Sequence, residues 1–166
     1  MRPSWPACLL LVALTGTGCE PAVSSDSEGQ AARLKGTIVS KALIKPGSAI
    51  VLEGPSPAGA LAAVFEDDGD TGYFYALEMD RLDNPIVDAL HIYNAATFAD
   101  RGKATQAAIL WSADGKKAAL LISGYPHAVF DFEAKRGYCR TGFPPADKRW
   151  SGHPHDWSES ALQHFQ

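Results

Sequence analysis

Apolar residues in this chain come in short runs, alternate or continuous, broken by acidic and glycine-bearing turns, which is the spacing of strands rather than helices. The run ALAAVF, Ala60 to Phe65, is apolar, and beyond Glu66, Asp67, Asp68, Gly69 and Asp70 the stretch GYFYALEM alternates, with Tyr73, Tyr75, Leu77 and Met79 on one face. Asp68-Gly69 suits the two positive-φ positions of a type I′ hairpin turn. The expected register therefore pairs Asp67 with Asp70, Glu66 with Thr71 and Val64 with Tyr73, and the carboxylates sit at a solvated tip where water screens their repulsion. Read instead as a calcium loop from Asp67, the stretch has Gly72 and Glu78 in the required places but Gly69 and Thr71 where oxygen-rich ligands belong, and no helical periodicity flanks it. A turn is the better reading.

A second hairpin joins TQAAILW (Thr105 to Trp111) to KAALLIS through Asp114-Gly115, with Trp111 facing Ala118. Consecutive apolar positions, Ala108 to Trp111 and Ala118 to Ile122, predict that both faces of these strands are covered. HAVFDFE (His127 to Glu133) turns through Lys135, Arg136 and Gly137 into the short strand YCRT, and GTIVSKAL and AIVLEG supply two earlier strands. Residues 85–93 follow Asn84-Pro85, a legitimate helix start, yet Leu90, Ile92 and Tyr93 favour a strand. Asp156, three residues before Glu159, has capping-box spacing, and Trp157, Ala161, Leu162 and Phe165 make an apolar stripe, so a short helix is predicted over 157–165. The expected fold is α+β: a mostly antiparallel, hairpin-rich sheet of about six to eight strands with one short C-terminal helix.

The N-terminus has a different character. Arg2, the apolar run ACLLLVAL and the small residues Thr15 to Gly18 form the three-part layout of a secretory signal; about ten apolar residues fall short of the roughly 20 that cross a bilayer as a helix. LTGTGC ending at Cys19 resembles the lipobox of bacterial lipoproteins, although Gly16 occupies the place where an aliphatic residue is usual, and Gly16 and Gly18 also satisfy an ordinary signal peptidase. Lipidation at Cys19 is the favoured reading. The expected organisation is a signal over 1–18, a polar, Ser-rich tether over 19–35 that cannot order itself, and one globular domain over 36–166. Glu20 after the cysteine implies sorting to the outer membrane.

Charge and cysteine content narrow the partners. The net charge is −4 and the basic residues are scattered, which excludes the basic patch that phosphate backbones require; no nucleic acid is expected. Once Cys8 leaves with the signal and Cys19 carries lipid, Cys139 stands alone and no internal disulfide forms. No cofactor, phosphate loop, nucleophile elbow or dinucleotide fingerprint is found.

The titratable candidates are few. Asp88 and His91 share a face in a helix but lie on opposite faces of a strand. His127 and Asp131 share a strand face about 13 Å apart, too far to touch, and Arg140 is placed to pair with Asp131 or Glu133. His153, His155 and Asp156 cluster near one another without matching a metal motif. The favoured function is non-catalytic binding to a protein or envelope component, with Trp111, Tyr125, His127, Asp131, Tyr138, Arg140 and Trp150 as candidate surface or cleft residues. The alternative is a hydrolase-like enzyme using His91 or His127 with nearby carboxylates.

FEDDGDTGYFYAL, IVDALHIYN and GYPHAVFDFEAKRGYCRTGFPP together resemble a bacterial family, domain of unknown function family 2251, over about residues 48 to 165. The resemblance implies a compact domain and assigns no catalytic residue, so signal and tether look like an added device for export and anchoring.

Overall fold

The computed structural model describes residues 34–98 and 102–166. The signal, the tether and Cys19 lie outside them, apart from the tether's last two residues. Nine strands run in chain order: β1 (Thr37–Ile44), β2 (Ile50–Pro55), β3 (Leu61–Asp67), β4 (Thr71–Glu78), β5 (Ile86–Asn94), β6 (Thr105–Trp111), β7 (Lys117–Ile122), β8 (Tyr125–Asp131) and β9 (Arg136–Cys139). They form two antiparallel sheets, a five-stranded one in the order β1-β6-β7-β8-β9 and a four-stranded one in the order β2-β3-β4-β5. This corrects the expectation of an α+β fold with six to eight strands. Among the described residues there is no α-helix, only 3-10 segments at Ala95–Thr97 and Glu159–Phe165.

The two sheets face each other across one apolar core, into which alternate residues of each strand point. Phe65, Phe74 and Leu90 enter from the smaller sheet, and Ile109, Trp111, Leu120 and Phe130 from the larger. Fully buried rings meet across the gap: Phe74 stacks on Phe130 with centroids 5.2 Å apart. Trp111 donates its indole N–H to the Gly54 carbonyl at 3.1 Å, tying the larger sheet to the smaller. Close approach there needs glycine, because a Cβ on Gly54 would lie 2.7 Å from an Ile109 methyl.

The outer faces of the sheets differ. On the larger sheet, a second apolar cluster of Ala108, Leu110, Ala119, Leu121, Val129 and Tyr138 is roofed by Ala161, Leu162 and Phe165 of the C-terminal 3-10 segment, with Leu34 and Trp157 beside it. Every residue of β7 is buried, which explains the consecutive apolar positions read from the sequence. The predicted apolar stripe thus does its work, but in a different helix. Ser158, not Asp156, accepts the capping bond from the Ser160 N–H, while Asp156 forms a parallel bridge beside Cys139. An isolated helical stretch so short gains little over the cost of nucleating an α-helical turn, and packing sets its shape.

The hairpin at the acidic stretch is shifted by two residues from the expected register: Asp67 pairs with Gly72, Glu66 with Tyr73 and Val64 with Tyr75. Asp68 causes the difference. Its carboxylate accepts from the backbone N–H groups of Asp70 and Thr71 at 2.9 and 2.8 Å, which widens a two-residue turn to the loop Asp68 to Thr71. Those backbone bonds hold its carboxyl below the usual range. Asp67 does not stay at the solvated tip either, for it is 1% exposed. It accepts from Gly47 N–H and Gly69 N–H at 2.8 Å each and from the Tyr93 hydroxyl at 2.8 Å. Tyr93 reaches it by lying flat over Gly72, where a Cβ would sit 2.9 Å from the ring. Burial, then the Asp67 bond, drives the Tyr93 phenol well above its usual value.

Candidate functional site

The structure separates the sequence-derived candidates into three groups. Trp111 and Trp150 are core residues, 0% and 7% exposed; Trp150 packs edge-on against Phe130 and Phe132 and donates to Glu78 at 2.9 Å. Asp131 and Tyr138 are also buried. Asp131 accepts from Glu133 and Ala134 N–H groups and lies 3.9 Å from Lys117, while the Arg136 guanidinium covers the Tyr138 ring at 4.6 Å. None of these four is a surface anchor. Sequence could not tell them from one, since large aromatics serve equally in cores and at interfaces.

Tyr125, His127 and Arg140 do converge, on the outer side of β8 and β9. The Arg140 guanidinium lies between the Tyr125 and Trp157 rings at 4.2 and 4.0 Å, its Nε donates to the Pro126 carbonyl at 2.7 Å, and Glu159 is 3.6 Å away. That pairing replaces the expected one with Asp131 or Glu133. Both faces of the guanidinium are occupied, so the cluster clamps the C-terminal segment onto β9. His127 stacks edge-on against Tyr125; burial first, and then the Arg140 charge, push its imidazole down to about 4.

A histidine whose folded value is depressed binds fewer protons when folded than when unfolded, so its contribution to stability is present above the unfolded value near 6.5 and is lost as pH falls from there toward 4. Wild type is therefore expected to lose about 1 to 3 kcal/mol between pH 7 and pH 4 that His127→Leu retains, read as the pH dependence of urea midpoints. Equal pH profiles for the two proteins would refute the assignment.

The third group concerns the predicted dyad and metal cluster. β5 is a strand, so Asp88 points into the body and His91 away from it. His91 approaches Asn94 at 3.1 Å and no carboxylate. Asp88 instead meets His155, 67 positions away in sequence, at 3.0 Å from Nε2, while Nδ1 faces the Pro144 carbonyl at 2.6 Å. Burial lowers the His155 imidazole, but the Asp88 bond and charge, with the Pro144 carbonyl, outweigh it and raise it overall. Both ring nitrogens are engaged, one with the Asp88 carboxylate and one with the Pro144 carbonyl, so neither is free to take a proton from a substrate. The pair floors a cleft of about 210 Å³ between β5 and the 144–149 loop, and it pins that loop. His153 and Asp156 are exposed while His155 is buried; the three do not assemble, and no metal-holding group of three or more His, Cys, Asp or Glu occurs among the described residues.

The feature that sequence reasoning passed over is the outer face of the smaller sheet. Three cross-strand rows run over it: Val51, Glu66, Tyr73 and His91; Glu53, Val64, Tyr75 and Ala89; Pro55, Ala62, Leu77 and Ile86. Tyr73 lies 5.9 Å from Tyr75 and 5.3 Å from His91, and His91 lies 5.8 Å from Phe143, so four rings form a continuous band. Val51, Met79 and Phe143 are each at least half exposed. Among the described residues no element roofs this face as the C-terminal segment roofs the other. The alternation of GYFYALEM had placed Tyr73, Tyr75 and Leu77 together but a two-residue period does not say which face is inside. Phe74, Ala76 and Gly72 take the core because they carry no hydroxyl that must find a partner. Burial, then the neighbouring Glu66 carboxylate, push the Tyr75 phenol up to about 12.

Residues 44–166 match the model of a family described as an uncharacterized protein conserved in bacteria, DUF2251. A curated protein of Haemophilus influenzae, named only as an uncharacterized protein, is 50% identical over 86 residues, which cover 52% of this chain and 53% of the relative. The chain thus spans about half the length of that relative. No solved structure matches.

Proposed function

We propose that this chain, which belongs to the bacterial family DUF2251, is an exported, lipid-anchored binding module that contacts a protein or envelope component through the outer face of β2 to β5. One observation carries the reading: a sheet face bearing an unbroken band of Tyr73, Tyr75, His91 and Phe143 is left unroofed by the described residues, while the opposite sheet is roofed by the C-terminal 3-10 segment. Outward-facing aromatics, here half-buried apart from the exposed Phe143, supply large contact area at low entropic cost. The rival hydrolase reading gains no such support, because His91 contacts an amide and the charged group acting on His127 is Arg140.

Export and anchoring belong to the same proposal: a signal over 1–18, lipid at Cys19, a tether over 19–35 and a module over 36–166, at the outer membrane. Cys19→Ser is expected to shift the protein from the membrane to the soluble periplasmic fraction; unchanged fractionation would remove the anchor. The binding surface is tested with full-length protein in detergent-solubilised envelope. Wild type and the control Lys41→Gln, altered on the roofed sheet, are expected to retain the same stoichiometric partner, and Tyr73→Ala/Tyr75→Ala to lose it while melting at a comparable temperature. Capture indifferent to the tyrosine pair would overturn the assignment of the face.

A further inference from the structure

We propose that the outer face of β2 to β5 selects a cationic partner segment, lysine or arginine side chains alternating with apolar ones, seated over Glu53, Glu66, Tyr73 and Tyr75. The inference rests on the binding reading above and names the partner's chemistry.

The argument begins with the distribution of charge between the sheets. β2, β3, β4 and β5 contain Glu53, Glu66, Asp67, Glu78 and Asp88 and neither lysine nor arginine, whereas β1, β7 and β9 carry Lys41, Lys117 and Arg136. Carboxylates elsewhere on the strands are already committed: Asp131 to Lys117, Glu78 to Arg81, Asp88 to His155 and Asp67 to two backbone N–H groups and a tyrosine. Glu53 and Glu66 point outward; Glu66 has the Tyr75 hydroxyl as a hydrogen-bond partner, but among the described residues neither carboxylate takes part in an ion pair. Both stand inside the rows of apolar and aromatic side chains, Glu66 opposite Val51 and Tyr73, Glu53 opposite Val64.

That placement decides what can cover the face. A purely apolar or acidic partner would strip water from two carboxylates without offering a counter-charge, a penalty that offsets much of the gain from burying the tyrosines. A lysine or arginine set down beside Glu66 meets the carboxylate and the electron-rich faces of Tyr73 and Tyr75 together, and cation–π attraction strengthens as water is excluded. The rows follow one another every second residue along each strand, the spacing of same-face side chains on an extended chain, so a partner strand with a cation at one inward-facing position and an apolar residue two positions on matches them.

The test uses full-length protein in a non-ionic detergent and three short synthetic peptides, in which lysine, glutamine or glutamate alternates with valine at every second position, with serine between, so that one face of the extended peptide carries both. The lysine peptide is expected to bind, to shift the ring resonances of Tyr73, Tyr75 and His91, and to weaken as salt is raised; the glutamate peptide is expected not to bind. Glu66→Gln should weaken the lysine peptide by about 5- to 10-fold, of the order expected for a cation held by a carboxylate and aromatic rings, and Lys41→Gln should leave it unchanged. Equal affinity for the glutamine peptide, indifference to Glu66→Gln, no binding of any peptide, or self-association through the tyrosines would each overturn the proposal. Failure here is distinct from failure of the binding reading: an envelope partner lost with the tyrosine pair but kept by Glu66→Gln preserves the surface and discards its cationic specificity.

Discussion

Trp111→Ala is expected to cost at least about 3 to 5 kcal/mol, the range for truncating a fully buried large aromatic, and to appear as a large fall in the urea midpoint followed by circular dichroism. The side chain is 0% exposed and stacks on Phe132 with centroids 5.5 Å apart. It also carries the indole bond to the Gly54 carbonyl that joins the sheets. Removing it leaves a cavity and strands a buried acceptor. Since domains of this size are stable by only about 5 to 15 kcal/mol, the loss is a large fraction of the total. Trp111→Phe, which keeps most of the volume and loses the bond, should cost less than half as much. A midpoint near wild type for Trp111→Ala would mean the two sheets do not share the core described.

Asp67→Ala is the second large effect, about 3 kcal/mol, because three donors lose one acceptor at once. Gly47 N–H, Gly69 N–H and the Tyr93 hydroxyl come from the β1–β2 loop, the β3–β4 loop and β5. Their common carboxylate holds one end of the molecule together. Tyr93→Phe removes a single donor and is expected to cost about 1 kcal/mol, and Asp67→Asn should fall between the two. Denaturant titration of all three checks the ranking. An alanine variant no weaker than Tyr93→Phe would show that water satisfies the loop amides equally well.

The strands were legible because each announces itself locally. The facing of Trp111 and Ala118 follows from the Asp114-Gly115 turn and the double burial of β7 from consecutive apolar residues, and Leu90, Ile92 and Tyr93 yield β5 against the helix-start signal of Asn84-Pro85. What was illegible came from long-range partners. Asp67 looks like one more acid in an exposed run, and only Gly47 and Tyr93, 20 and 26 positions away, draw it inward. Asp88 and His155 share no local signal. The hairpin register failed for a local reason, the Asp68 side chain capping its own loop, which the turn dipeptide alone did not foretell. The C-terminal helix failed because a stripe of apolar residues fixes what is buried without fixing the helical type.

The open tyrosine-bearing sheet has a practical corollary in spectroscopy. Trp111 and Trp150 lie in the core and Trp157 stacks on Arg140, so no indole in the described residues is on the outer face of β2 to β5. Indole emission should therefore report denaturation and remain nearly silent to a ligand on that sheet, whereas phenol absorbance should respond to the ligand. One sample then yields two uncrossed optical channels, one for the integrity of the scaffold and one for occupancy.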